Sequence, residues 1–128
     1  MDAPEITNAG GFTARDAVGI DRWESWTPTY SLTTVGAVTI SGRYRVIGRK
    51  CEFQVSISAA TSIATTAGTH YIDLPIAAKG LSGMAVMTND TTNIAVGVAH
   101  LDVSTSRAYL PTQAASGNTF NVAGSYEI

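Results

Sequence analysis

Val38-Thr39-Ile40-Ser41-Gly42-Arg43-Tyr44-Arg45-Val46-Ile47-Gly48-Arg49-Lys50-Cys51-Glu52-Phe53-Gln54-Val55-Ser56-Ile57-Ser58 changes the phase of its apolar residues once, at Gly48-Arg49, and that change decides the fold. Before the turn the large apolar residues are even-numbered (Val38, Ile40, Tyr44, Val46), and after it they are odd-numbered (Cys51, Phe53, Val55, Ile57). A two-residue type II′ loop explains the switch. With Ile47 and Lys50 closing the turn and Gly48 supplying φ > 0, position 46 faces 51, 44 faces 53 and 40 faces 57. Every apolar side chain then lies on one face, and Thr39, Ser41, Arg43, Arg45, Glu52, Gln54 and Ser56 take the other. A slip of one residue would turn the whole apolar set to solvent, so the register is strongly specified. The stretch predicts an antiparallel, half-buried sheet.

Working outward, strand-like runs recur with turn signals between them, and none carries sustained helical periodicity. They are Thr27–Leu32, Val38–Val46, Cys51–Ser58, His70–Leu74, Met84–Thr88, Asn93–Val103, Arg107–Leu110 and Thr119–Ile128. In the last of these Phe120, Val122, Tyr126 and Ile128 alternate with polar or small residues, and Gly124 falls on the apolar side. Pro75 and Pro111 each end a strand, because proline cannot donate to a ladder. Between Ile94 and Val103 the apolar phase passes from even to odd, which predicts a bulge or corner near Ala99-His100. The prediction is an all-β fold, an antiparallel two-sheet sandwich of jelly-roll type with about eight strands. Residues 1–22 differ: Asn8-Ala9-Gly10-Gly11 interrupts any regular element, and only a short helical turn over Thr13–Val18 is expected. They read as an N-terminal arm or linker, with residues 23–128 forming the sandwich domain.

The chain has 128 residues, enough for one domain with its own core. Only 14% of residues are charged, against roughly 25% in an average soluble domain, while Ser and Thr supply about a fifth. Its polarity is therefore carried by hydroxyls, which suits neutral polar partners such as sugars or other subunits. A net charge of −2 without a run of Lys or Arg leaves no electrostatic footprint for nucleic acid or an anionic membrane. No apolar stretch approaches the roughly 18 residues of a membrane span, and no signal peptide is recognisable, so the chain reads as soluble. The single cysteine, Cys51, sits in the alternating run as a small buried hydrophobe.

Catalytic and metal signatures are sparse. Gly42 and Gly48 lack the spacing and the Lys-Ser/Thr of a phosphate-binding loop. His70 with Asp73 and His100 with Asp102 are the histidine and carboxylate groupings close in sequence, and residues at i and i+2 of a strand share a face. Neither pair is accompanied by a third metal ligand or a nucleophile, so no cofactor, no metal site and no catalytic residue is expected. Asn89-Asp90-Thr91 matches a glycosylation sequon and reads as a turn between strands. Trp23, Trp26 and Tyr30, where arm meets body, serve either as a stacking platform for sugar or as packing onto the sandwich or another subunit. Arg43 and Arg45 on the outer face of the hairpin are expected to pair with a neighbouring strand or subunit.

Trp26-Thr27-Pro28-Thr29, then Ser41-Gly42-Arg43-Tyr44-Arg45-Val46-Ile47-Gly48-Arg49-Lys50, then Leu74-Pro75 and Gly124-Ser125-Tyr126 resemble the C-terminal domains of bacteriophage tail fibres and tailspikes. The chain departs from that pattern at Arg49-Lys50-Cys51, where a Lys and then a β-branched residue are usual. The resemblance covers about residues 23–128 and implies a β-sandwich assembled as a homotrimer in the phage virion. It further implies a non-enzymatic module that binds a bacterial surface polysaccharide, capsule or lipopolysaccharide, stabilises the trimer, and joins an upstream or companion spike protein. On that reading the ligand-binding candidates are Tyr71, Asp73, Asn89, Asp90, Asn93, Arg107 and Tyr109, and the oligomer interface comprises Trp23, Trp26, Tyr30, Arg43 and Arg45. The alternatives are a purely structural trimerisation cap and a polysaccharide hydrolase resting on the His70, Asp73, His100 and Asp102 groupings.

Overall fold

The central hairpin forms as its apolar phase dictates. In the computed structural model, which describes residues 22–79 and 83–128, Ile47 pairs with Lys50, Val46 with Cys51, Tyr44 with Phe53 and Ile40 with Ile57. Gly48 has φ 61° and Arg49 stays at negative φ, the combination a type II′ turn requires. The two arms of the hairpin are β4 (Val38–Ile47) and β5 (Lys50–Thr65).

Eight further strands complete the fold: β1 (Glu24–Trp26), β2 (Tyr30–Ser31), β3 (Thr33–Val35), β6 (Tyr71–Asp73), β7 (Gly83–Asn89), β8 (Ile94–Asp102), β9 (Arg107–Tyr109) and β10 (Gln113–Glu127). They pair antiparallel in the order β1-β4-β5-β10-β7-β8-β9-β6-β2, with β3 against the end of β5. The sheet curls through 273° into an open half-barrel, an arrangement consistent with a jelly-roll-like sandwich. Strand β8 joins the two halves: Ile94, Ala95 and Gly97–Ala99 pair with β7, and His100–Asp102 pair with β9. The handover falls at the corner the sequence predicts. The accompanying register shift lies earlier, where Gly97 and Ala95 oppose consecutive residues of β7 and Val96 is the extra one.

One cluster fills the concave side. Cys51, Phe53, Val55 and Ile57 of β5 meet Phe120, Val122 and Tyr126 of β10, Ala85 and Met87 of β7, Ala99 of β8, Ala108 of β9 and Ile72 of β6. The rings of Phe53 and Tyr126 pack edge to face at 5.9 Å. The Tyr126 hydroxyl donates to the Ile76 carbonyl at 2.7 Å and accepts the Ile76 N–H at 3.1 Å, so the segment after β6 closes one side of the core. Burial raises the Cys51 thiol above its ordinary range, as befits a small core hydrophobe.

The stretch expected as one strand over Thr27–Leu32 is divided instead. Residues 27–29 carry no ladder, Pro28 is buried beside Trp26, and the chain then crosses to the opposite edge, where Tyr30 pairs with Ile72. Strand β5 runs seven residues past the expected end at Ser58, because its far end finds partners in β3 and in the start of β10. The arm over residues 1–22, with its helical turn over Thr13–Val18, lies outside the described residues but for Arg22.

Candidate functional site

Alternation along three short strands builds a polar patch on the convex face. Ile72 and Ala108 are fully buried and Leu101 packs on the core, so their neighbours in sequence point outward. Tyr71, Tyr109 and His100 stand in one cross-strand row, and Asp73, Arg107 and Asp102 stand in the next. Residues from three distant parts of the chain are thereby brought within one surface.

Arg107 is the centre of the patch. Its guanidinium lies over the Tyr71 ring, 3.9 Å from the centroid, and its Nε donates to Asp73 Oδ1 at 3.2 Å. The Tyr109 hydroxyl in the first place, then Tyr71 and Asp73, hold the guanidinium above its ordinary value. Tyr71 and Tyr109 pack ring against ring at 5.6 Å. The second carboxylate oxygen of Asp73 accepts from the Thr29 hydroxyl. Asp102 is also committed: Oδ1 accepts from the Ser104 hydroxyl and N–H at 2.8 and 3.0 Å, and Oδ2 accepts from the Thr105 hydroxyl at 2.8 Å. Those hydroxyls, with a lesser contribution from His100, hold Asp102 below the usual carboxylate range. Both carboxylates thus brace structure, Asp73 the arginine and Asp102 the turn into β9. Among the described residues no group of three His, Cys, Asp or Glu is gathered.

Beside the patch opens a cleft of about 310 Å³ lined by Val98, His100 and Asp102 from β8, Tyr109, Leu110 and Pro111 from the end of β9, and the Ala67-Gly68 turn. Its walls are cross-braced. Thr65 Oγ1 donates to the Pro111 carbonyl at 2.5 Å, the Ala67 N–H donates to Thr112 Oγ1 at 2.9 Å, and the Leu110 N–H donates to the His70 carbonyl at 2.9 Å. His70 Nδ1 accepts the Thr66 N–H at 2.8 Å, which leaves the ring proton on Nε2, 3.2 Å from Thr33 Oγ1. His70 thus braces the wall from behind, and its ring is bonded to Thr66 and Thr33 rather than to Asp73.

The remaining ligand-binding candidates occupy another place. Asn89 ends β7 and is fully buried, and its Oδ1 accepts the N–H groups of Thr91 and Thr92 at 3.0 and 3.3 Å. Asp90 is tied to β10 through Asn121, and its N–H donates to the Thr119 carbonyl at 2.8 Å. Asn93 is exposed with φ 61°, a conformation that asparagine tolerates. It precedes the first residue of β8 and lies about 23 Å along the strand from His100 at ~3.3 Å per residue. Four of the seven candidates, Tyr71, Asp73, Arg107 and Tyr109, therefore form one patch, and the other three belong to the β7–β8 turn.

The residues expected at an oligomer interface find partners within the chain. Arg43 and Arg45 lie 4.6 and 4.8 Å from the Trp23 ring, Arg45 pairs with Glu52 at 2.8 Å, and Arg43 bonds Gln54 at 2.8 and 3.0 Å. Trp26 packs on the concave side against Gly42 and stands edge-on to Tyr44 at 6.1 Å. Tyr30 is 39% exposed on the edge strand. The outer face between these places is mostly uncharged: Ser41, Ser56, Asn121 and Thr88 stand in one cross-strand row, while Ala123, Val86 and Val98 continue the next.

The sequence places His100 and Asp102 on one strand face, and the fold sets them in a cleft whose other lining residues, among them Ala67, Gly68, Val98, Leu110 and Pro111, have no linear signature. Only knowledge of the β8–β9 pairing could have gathered them. Comparison of the chain with family models, curated proteins and solved structures gave no match.

Proposed function

We propose that this chain is a non-catalytic module of a phage tail fibre or tailspike, a homotrimer in the virion that binds a bacterial surface polysaccharide and stabilises the trimer. The observation that carries the reading is the convex patch of Tyr71, Tyr109, Arg107 and Asp73 beside an open cleft, set on a hydroxyl-rich face of low charge. Aromatic rings with a fixed guanidinium and carboxylate offer the flat apolar area and the hydrogen bonds that a sugar face requires. Each site is shallow, and three copies on one appendage raise weak binding to useful avidity. The engagement of Asp73 and Asp102 in bracing supports a binding role over hydrolysis, which needs one free acid and one free base.

The test has two parts. Light scattering on the full chain should give a mass near three times 13.4 kDa, and a host-polysaccharide array should give signals that fall at least tenfold with Tyr71→Ala. A monomer that binds no polysaccharide would overturn the reading. A second reading, a structural trimerisation cap, draws on the exposed apolar residues Met84, Val86 and Val98 of the convex face. It predicts a trimer without glycan binding.

A further inference from the structure

The cleft at the β8–β9 junction has two chemically distinct sides. Val98, which is 61% exposed, joins Ala67, Leu110 and Pro111 in an apolar wall, and His100, Asp102 and Tyr109 form the polar one. Pro111 closes tightly on β8, since a Cβ at Gly97 would lie 3.2 Å from Pro111 Cβ. The bracing of the 65–70 and 110–112 segments fixes the apolar wall before any ligand arrives, so binding need not pay to order it.

Charge narrows the ligand. Among the described residues Asp102 is the one carboxylate lining the cleft, and its oxygens are already occupied by Ser104 and Thr105. Arg107 is absent from the lining and is turned toward Tyr71 and Asp73. A carboxylate or phosphate entering here would face that negative charge, and no Lys or Arg is among the described residues that line the cleft. The His100 ring makes no hydrogen bond to another described residue and is exposed, so both its nitrogens are open to a neutral hydroxyl or amide. The size of about 310 Å³ is at the lower end of the roughly 300–1,000 Å³ of small-molecule sites, room for one sugar ring.

Resting on the saccharide-binding reading, we infer that this cleft takes one neutral pyranose bearing a methyl group, as in an N-acetylamino sugar or a 6-deoxy sugar. The methyl group packs on Val98, Ala67 and Pro111, and the ring hydroxyls or amide bond His100 and the Tyr109 hydroxyl. Burying a methyl group is worth about 0.8 kcal/mol, a preference of roughly fourfold over the sugar without it.

Saturation-transfer NMR on the full chain tests this with four free sugars: N-acetylglucosamine, fucose, glucose and glucuronic acid. The expected result is strongest transfer to the acetyl or 6-methyl protons, weaker transfer to glucose and least to glucuronic acid. Val98→Ser and His100→Ala, both at exposed positions, should each reduce the methyl signal at least threefold with the circular dichroism spectrum unchanged. The first two sugars distinguish the acetamido source of the methyl from the deoxy source. Equal or stronger transfer to glucuronic acid overturns the inference, as does an array-positive polysaccharide whose binding survives both variants; in either case the saccharide-binding reading stands. Silence with all four sugars and on the polysaccharide array overturns both.

Discussion

The indole of Trp26 occupies the space that Gly42 leaves by lacking a side chain: a Cβ there would lie 2.5 Å from Cε3 of the ring. The glycine of the hairpin is thus a seat for an aromatic ring of the adjoining strand. Gly42→Ala should displace the ring and cost about 1–3 kcal/mol, the usual range for overpacking. Urea unfolding followed by fluorescence in a Trp23→Phe background reports both the lost stability and the exposure of Trp26. An unchanged midpoint would mean that the ring has room to move.

Gly124 is a stricter case. A Cβ at this position would lie 2.2 Å from the Met84 carbonyl oxygen and 2.6 Å from Ala85 Cα, both backbone atoms of the paired strand. Backbone cannot swing aside as an indole can, so Gly124→Ala should cost about 3 kcal/mol or more, at or above the upper end of the overpacking range. The same urea titration ranks the two variants, and a smaller loss for Gly124→Ala than for Gly42→Ala would contradict the close approach of β10 and β7.

Trp23, Arg45 and Glu52 form a small network on the convex face. The Arg45–Glu52 pair is about one-third exposed, so a double-mutant cycle should assign it a coupling of about 0.2–1 kcal/mol that shrinks in high salt. Trp23→Ala removes the face on which Arg43 and Arg45 rest and should cost about 1 kcal/mol. If Trp23→Ala instead dissociates an oligomer at no cost to the isolated chain, its ring faces another copy.

Alkaline pH should weaken the fold. Burial holds both Cys51 and Tyr126 protonated above their ordinary values of 9.0 and 10.0. An unfolded chain releases these protons at the ordinary values while the folded chain keeps them, so stability is full below pH 9 and falls as the pH rises through 10 and beyond. Chemical denaturation between pH 7 and 11 should record that loss. Tyr126→Phe should be less stable at neutral pH, having lost its bonds to Ile76, yet show the shallower alkaline decline.

The long-range order of the sheet was less legible than its local pairing. Alternation and a glycine at the turn settle β4 and β5 because each residue faces a near neighbour, and the same rule reads Phe120 to Tyr126. Pairings between distant strands leave no such trace. The crossing of residues 27–31 from one edge to the other depends on where Ile72 lies, and the extra length of β5 depends on its pairing with β3 and the start of β10. The patch follows the same division: Tyr71, Asp73, Arg107 and Tyr109 could be named as outward-facing polar residues, but their joining in two rows with His100 and Asp102 is a property of strand order. Asn89 reads as a loop residue from its neighbours and is instead a buried brace, since its amide oxygen substitutes for backbone in the turn.

The position of β10 has a consequence for how the molecule is made. It follows both of its neighbours in the sequence, yet it lies between β5 and β7 and supplies Phe120, Val122 and Tyr126 to the core. Until it emerges, β5 and β7 each keep an unpaired edge and an uncovered apolar face, the condition under which nascent sheets associate wrongly. Closure of the sheet therefore waits on β10, and its contacts with β5 span much of the sequence, the kind of long-range pairing that slows folding.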